Sequence, residues 1–136
     1  MTRHATGPFD VKMIPQTPDE YADGAGLARF ALDKQFHGDL EATSKGQMLS
    51  AMTAVKGSAG YVAIERVVGR LHGREGTFVL QHSGTMTRGE PHLILAVVPD
   101  SGTGELEGLS GTMAIIRADG KHSYEFDYTI SPPGRS

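Results

Sequence analysis

Residues 69–80, GRLHGREGTFVL, decide the fold of this chain, because a related phrase, GELEGLSGTMAI, returns at residues 104–115. A looser copy begins at residues 38–42, GDLEA, and is followed by GQM at residues 46–48. Self-similarity of this kind indicates a repeated supersecondary unit. We expect each copy to contain the end of a strand, a glycine-rich turn and the next strand, so that successive copies form similar antiparallel hairpins.

Alternating apolar and polar residues, bounded by turn residues, predict strands along the rest of the chain. The clearest alternations are residues 9–13, 60–71, 77–86 and 122–130. Residues 92–98 form a continuous apolar run, which is typical of a strand covered on both faces. Strands are also expected at residues 48–52 and 112–117, with a hairpin turn at residues 118–121. Residues 27–36 fit either a strand or a short helix.

About eight short strands with frequent turns predict an all-β fold, and the repeat favours a single antiparallel β-barrel of about eight strands over a sandwich. Closing such a series of hairpins removes exposed strand edges. The 136 residues fit one domain, residues 1–136, in which residues 1–8 and 131–136 are expected to be frayed termini.

Composition excludes several classes of function. The net charge of −3 is mixed in sign along the chain, so neither a nucleic acid nor a membrane is an expected partner. The chain contains no cysteine, which excludes disulfides, thiolate metal sites and a cysteine nucleophile. Residues 1–7 carry no signal-peptide run, so a cytoplasmic location is expected. The histidines have no metal-ligand spacing and no phosphate loop is evident, so no cofactor and no metal are predicted.

Three phrases resemble a bacterial family of unknown function that has the allene-oxide-cyclase-like barrel fold. They are TFVLQHSGTM at residues 77–86, VVPDSGTGEL at 97–106 and GKHSY at 120–124. The resemblance covers most of the chain from about Gly38 to Ile130. It implies a lipocalin-like, calycin type of architecture with a central cavity, because the allene oxide cyclases and spirotetronate cyclases with similar barrels enclose a hydrophobic ligand.

Two inward-facing polar residues, Glu65 and His82, are the candidate catalytic pair. Glu65 shares its face with Tyr61 and other apolar residues, so one hypothesis is a general acid or base with a raised pKa at the floor of a pocket. The alternative is a structural glutamate in a salt bridge with Arg117 or Arg66. His82 is either a proton relay or a core histidine whose hydrogen bonds are satisfied.

The remaining candidates are predicted to contact a ligand. Alignment of the two repeat copies matches Phe78 with Met113 and His82 with Arg117, so Arg117 is expected inside the barrel, where it would bind an acidic group at the cavity mouth. An aromatic stripe on the last strand and several methionines complete the lining. The predicted ligand-binding residues are Tyr61, Met48, Met52, Phe78, Leu80, His92, Ile115, Arg117, His122, Tyr124, Phe126 and Tyr128.

These observations predict a barrel that binds a small hydrophobic molecule. One hypothesis adds catalysis by a cofactor-independent isomerase, cyclase or lyase, with Glu65 and His82 exchanging a proton with the ligand. The alternatives are a non-catalytic binding barrel and an oligomeric structural module with a filled core. A homo-oligomer, either a dimer or a trimer, is also left open.

Overall fold

The computed structural model describes residues 2–17 and 26–131, which form eight strands and one short 3-10 helix at Gly104–Leu106. The strands are β1 (Arg3–Gln16), β2 (Leu27–Phe36), β3 (Leu40–Met52), β4 (Ala59–Leu71), β5 (Arg74–Thr87), β6 (Glu90–Val97), β7 (Leu109–Ala118) and β8 (Lys121–Ile130).

The eight strands close into one antiparallel barrel, as the repeat predicts. Each strand pairs with the next along the chain, and β1 completes the ring by pairing with β8. Phe9 marks the closure, because it lies opposite Phe36 of β2 on one side and His122 of β8 on the other. The prediction of an all-β barrel is therefore confirmed. The ring is weakest between β6 and β7, which share the single pair Ala96–Thr112.

Strand pairing and burial decide three of the expectations for individual segments. Residues 3–8 are not frayed, since β1 begins at Arg3 and pairs with β8 from its first residue; residue 1 and residues 132–136 lie outside the described residues. Residues 27–36 form a strand, not a helix. The expectation that β6 is covered on both faces is wrong, because Ile94 is exposed on the outer wall and only the alternate residues near its end are buried.

The hairpin turn predicted at residues 118–121 is present between β7 and β8. Asp119 and Gly120 both have positive φ, at 53° and 74°. Two consecutive residues of positive φ match the twist of antiparallel strands joined by a two-residue loop, and glycine adopts that conformation without a steric penalty.

The two ends of the barrel differ in how they are filled. The end that carries the β2–β3, β4–β5 and β6–β7 connections, here called the closed end, is packed with aromatic rings. Phe78 stacks on Phe126 with centroids 6.0 Å apart, and Phe126 stacks on Tyr128 at 5.3 Å. The opposite end, which carries the β3–β4, β5–β6 and β7–β8 turns, is called the open end because several of its inward-facing side chains remain partly exposed.

The glycine-leucine repeat maps onto the closed end. Its three leucines, Leu40, Leu71 and Leu106, are all fully buried there, and each such burial stabilises the fold by roughly 1.5–3 kcal/mol. The copies differ in local structure, however, since Leu71 ends a strand, Leu40 begins one, and Leu106 lies in the 3-10 helix. The expectation of three similar hairpins is therefore wrong in detail. The repeat instead supplies three buried leucine side chains to one end of the barrel.

Candidate active site at the barrel centre

Glu65 lies at the centre of the barrel, fully buried, between the packed closed end and the open end. Its Oε2 accepts hydrogen bonds from Lys34 Nζ at 2.7 Å and from His82 Nε2 at 2.5 Å. Its Oε1 accepts a hydrogen bond from Ser44 Oγ at 2.7 Å. Both carboxylate oxygens are thus satisfied, as a buried charge requires.

This set of donors decides the ionisation state of Glu65. Burial by itself raises the pKa of the carboxyl group, but the hydrogen bonds and charges of His82, Lys34 and Ser44 outweigh it and lower the pKa from 4.5 to about 2. The prediction of a raised pKa is therefore wrong, and Glu65 is a carboxylate at neutral pH. The salt-bridge alternative is correct in kind but not in partner, because the cation is Lys34, not Arg117 or Arg66.

Strand register brings these four side chains together from β2, β3, β4 and β5. Lys34 and Ser44 are direct cross-strand partners, and Glu65 lies opposite Gly46. A Cβ atom at Gly46 would lie 2.1 Å from the carbonyl oxygen of Ile64 and 2.7 Å from the Cβ of Glu65. Only glycine allows β3 and β4 to approach so closely beside the carboxylate.

His82 connects this buried carboxylate to the open end. Because Glu65 is ionised and can only accept, Nε2 of His82 carries a proton and donates it, and Nδ1 is the nitrogen that can act as an acceptor. The hydroxyl of Tyr61 donates to this Nδ1 across 3.4 Å, which is long for a hydrogen bond. Tyr61, His82 and Glu65 therefore form a chain from the half-buried open end to the buried centre.

The position of Tyr61 depends on the absence of a side chain on the neighbouring strand. Tyr61 lies opposite Gly84 of β5, and a Cβ atom at Gly84 would lie 2.3 Å from the phenol ring. Burial raises the pKa of Tyr61, and Arg117 opposes that shift through its charge. The phenol is therefore protonated at neutral pH and can act as a hydrogen-bond donor.

Five of the predicted ligand-binding residues lie in the core of the closed end or directly next to it, where packing leaves no free surface: Phe78, Leu80, Tyr124, Phe126 and Tyr128. The hydroxyl of Tyr124 accepts from the Leu40 amide and donates to the His37 carbonyl, both at 2.7 Å. Burial raises the pKa of Tyr124 to about 12. The hydroxyl of Tyr128 forms a hydrogen bond with His72 Nδ1 at 2.5 Å. Both tyrosines have structural partners.

The other predicted ligand-binding residues lie mostly at the open end. Tyr61, Met48, Ile115 and His122 face inward and are partly exposed, Met52 lies at the mouth, and Arg117 is exposed beside it. His92 does not join them, because it pairs with Thr85, a residue of the outer face of β5. The prediction that His92 contacts a ligand inside the barrel is therefore wrong.

Sequence reasoning missed Lys34 and Ser44. The signal for Lys34 was present, since Leu32, Lys34 and Phe36 alternate with exposed residues once residues 27–36 are treated as a strand. Lys34 Nζ also lies 5.4 Å from the centroid of Phe9 and 5.9 Å from that of Phe36, so two rings face its charge. A lysine so placed is available to neutralise an inward-facing carboxylate.

Two depressions in the surface lie on the outer wall, not in the interior. One of about 440 Å³ lies over β6 and β7, next to Ile94 and Thr112. The other, of about 650 Å³, lies across β3, β4 and β5, next to Leu49 and Val62. Neither corresponds to the internal pocket predicted from the sequence, and the open end is distinguished only by the partial exposure of its inward-facing residues.

Within residues 2–17 and 26–131, no group of three His, Asp or Glu side chains is arranged to hold a metal ion. The same residues include no helix with the length and apolar character needed to cross a membrane.

Comparison with known proteins identifies the family. A family model described as "Protein of unknown function (DUF3224)" matches residues 5–128. A crystal structure of a protein of unknown function from Shewanella oneidensis, assigned to the same family, is similar to this chain with 59% identity and a TM-score of 0.93. The match covers 97% of this chain and 99% of the Shewanella chain. A search of curated proteins found no match. The family match spans most of the barrel, and the chain therefore belongs to the DUF3224 family.

Proposed function

We propose that the open end of the barrel binds a small, mostly apolar molecule and that His82 exchanges a proton with it. The observation that carries this proposal is the hydrogen-bonded chain from Tyr61 through His82 to the ionised Glu65. A carboxylate that orients a histidine, whose other nitrogen faces a more open region, is the arrangement of a general base and its positioning group.

The chemistry needs no external reactant. Nδ1 of His82 takes a proton from the ligand, and the imidazolium that forms is stabilised by the Glu65 carboxylate 2.5 Å from Nε2. The Tyr61 hydroxyl donates a hydrogen bond to the negative charge that develops on the ligand. Return of the same proton to a different atom of the ligand completes an isomerisation with all atoms balanced. In this scheme Glu65 is a positioning residue, in place of the proton-exchange role expected from the sequence.

Two features support binding at the open end. The 3.4 Å separation between Tyr61 and His82 is loose enough that a ligand atom can replace the phenol as the partner of Nδ1. The surrounding inward-facing positions are apolar and adaptable, with Met48 and Ile115 partly buried and Met86 exposed at the rim. The resemblance to allene-oxide-cyclase-like barrels, which enclose hydrophobic ligands, favours the same site.

A non-catalytic binding barrel is the second candidate. It is favoured by the complete set of hydrogen bonds at Glu65, which is also what a structural ion cluster requires. In that case the polar cluster closes the barrel below the open end, and His82 only contributes a hydrogen bond to the ligand.

Binding is tested by measuring the melting temperature of the purified protein with a panel of small apolar alcohols, ketones and enones, because a ligand of the native state raises it. A compound that raises the melting temperature of the wild type should have no effect on Met48→Trp, in which the open end is filled. Ile116→Trp, at an exposed position on β7, is the matched control and should respond like the wild type. Absence of any shift across the panel, or an equal shift in Met48→Trp, would contradict binding at the open end.

Catalysis is tested by following deuterium exchange into a bound enone or ketone in D₂O by NMR. His82→Gln should lower the exchange rate by about 100-fold or more, the usual contribution of a general base, while the compound still raises the melting temperature. Tyr61→Phe should lower the rate less. If exchange is unchanged in His82→Gln, the catalytic proposal fails and the non-catalytic barrel is retained.

A further inference from the structure

The outer wall of the barrel carries an apolar face that the proposed function does not use. Four aliphatic side chains, Leu49, Val62, Ile64 and Ile94, are each 52–57% exposed. Exposed apolar side chains are common when isolated, but a contiguous group marks an interaction site.

Strand register shows that these side chains are neighbours. Leu49 on β3 pairs with Val62 on β4, Val62 pairs with Ser83 on β5, and Ser83 pairs with Ile94 on β6. Ile64 is the next outward-facing residue after Val62. We call this region, including Gln47 and Gln81 on either side of Ile64, the neutral face.

The charge of this face and its border restricts the partner. The neutral face contains no charged residue across its four strands, and Arg29 of β2, the cross-strand partner of Leu49, borders it on the β2 side. The next row toward the closed end begins with Lys45 and Arg66, which are direct cross-strand partners. A charged partner surface would lose its hydration against the neutral face without gaining a counter-charge. A second copy of the same face brings no charge that would lose its hydration, as long as Arg29, Lys45 and Arg66 lie outside the contact.

We propose that two copies of this chain associate through their neutral faces in an isologous dimer, with Ile64 and Val62 near its centre. A two-fold contact presents the same patch on both partners, so an uncharged patch is complementary to itself. Lys45 and Arg66 limit the contact on one side, because two copies stacked over this row would oppose like charges.

The size of the face sets the strength of the dimer. Four strands spaced by about 4.8 Å, read over about five residues of 3.3 Å rise, give a patch roughly 15–20 Å on each side. Two such patches bury a total area of roughly 450–800 Å², below the about 1,200 Å² at which specific, stable interfaces begin. The dimer should therefore be weak and reversible, and its detection requires a series of protein concentrations that reaches the millimolar range.

The test is sedimentation velocity of the full chain from about 1 µM to 1 mM, a range that brackets such an affinity. The wild type should change from monomer to dimer within this range. Ile64→Lys should raise the dimer dissociation constant at least ten-fold, because it places two like charges in the contact. Val68→Lys is the matched control: Val68 lies on the same strand and the same outer face, is 44% exposed, and lies beyond Lys45 and Arg66. It should dimerise like the wild type.

Leu49→Ser, on a different strand, guards against a folding defect specific to Ile64→Lys, and circular dichroism melting of each variant checks that it is folded. Leu49→Ser should also weaken the dimer. A wild-type chain that remains monomeric to 1 mM overturns the proposal, as does a dimer that survives in both Ile64→Lys and Leu49→Ser. Equal weakening by Val68→Lys also overturns it, because the contact would then extend past the charged row.

Discussion

The two ends of the barrel are made from the same eight strands but differ in what their inward-facing side chains do. At the closed end, Leu40, Leu71 and Leu106 are fully buried beside stacked aromatic rings. At the open end, inward-facing residues such as Met48 and Tyr61 remain partly exposed. The difference teaches that this fold concentrates its packing free energy at one end, and so the other end can hold groups that contribute less to stability.

Glu65 separates the two ends, and its replacement should have the largest effect. Glu65→Gln leaves the Lys34 ammonium group buried without its counter-charge, so we expect a loss of about 3–5 kcal/mol in the free energy of unfolding, measured by urea denaturation. Glu107→Gln, at an exposed position, should change it by less than about 0.5 kcal/mol. In the double variant Lys34→Met/Glu65→Gln part of the loss should be recovered. If the double variant lost as much unfolding free energy as Glu65→Gln and Lys34→Met lose together when measured singly, the coupling between Lys34 and Glu65 would be contradicted.

A cavity should cost more at the closed end than at the open end. Leu71→Ala should lower the free energy of unfolding by about 2–5 kcal/mol, because the surrounding rings cannot fill the space that the leucine leaves. Met48→Ala should lower it by about 1 kcal/mol or less, since solvent already reaches that side chain. Both values follow from chemical denaturation at pH 7. Similar losses for the two variants would show that the ends are packed alike.

Acid should lower the contribution that Glu65, between the two ends, makes to the free energy of unfolding. The folded-state pKa of Glu65 is lowered to about 2 from 4.5, so its contribution to stability is present in full above pH 4.5 and is lost as the pH falls toward 2. At 1.36 kcal/mol per pKa unit this amounts to roughly 3 kcal/mol. The difference in unfolding free energy between wild type and Glu65→Gln should therefore shrink from pH 5 to pH 2. A constant difference over that window would contradict the lowered pKa.

Removal of a tyrosine hydroxyl group at each end should give the smallest difference in stability loss between the closed and the open end. Tyr124→Phe leaves the Leu40 amide and the His37 carbonyl without their shared partner, which should cost about 1–3 kcal/mol. Tyr61→Phe removes only a 3.4 Å hydrogen bond in a half-buried position and should cost a few tenths of a kcal/mol, by order of magnitude. Thermal unfolding of both variants measures the contrast. An equal loss in the two would mean that the Tyr61 hydroxyl is as firmly held as that of Tyr124.

Much of the fold could be predicted because strands leave a local signal. Alternation located the strand cores, such as residues 77–86 within β5, and the run Ala118–Lys121 located a turn. The same alternation placed Glu65 and His82 on inward faces, and the structure brings them into contact. The pattern was weaker for residues 27–36, and with that strand Lys34 was missed.

The sequence by itself determined that this chain is a barrel, that its glycine-leucine phrases recur, and that Glu65 and His82 face inward. These properties follow from a two-residue period and from turn residues that act on the chain next to them. Only the tertiary structure decided that the three leucines fill one end, that the other end is left open, and that Lys34, Ser44 and His82 stabilise Glu65 as a carboxylate. Those outcomes depend on strand register and ring closure, which set the neighbours of each inward side chain and the reach of solvent, and no local pattern encodes either.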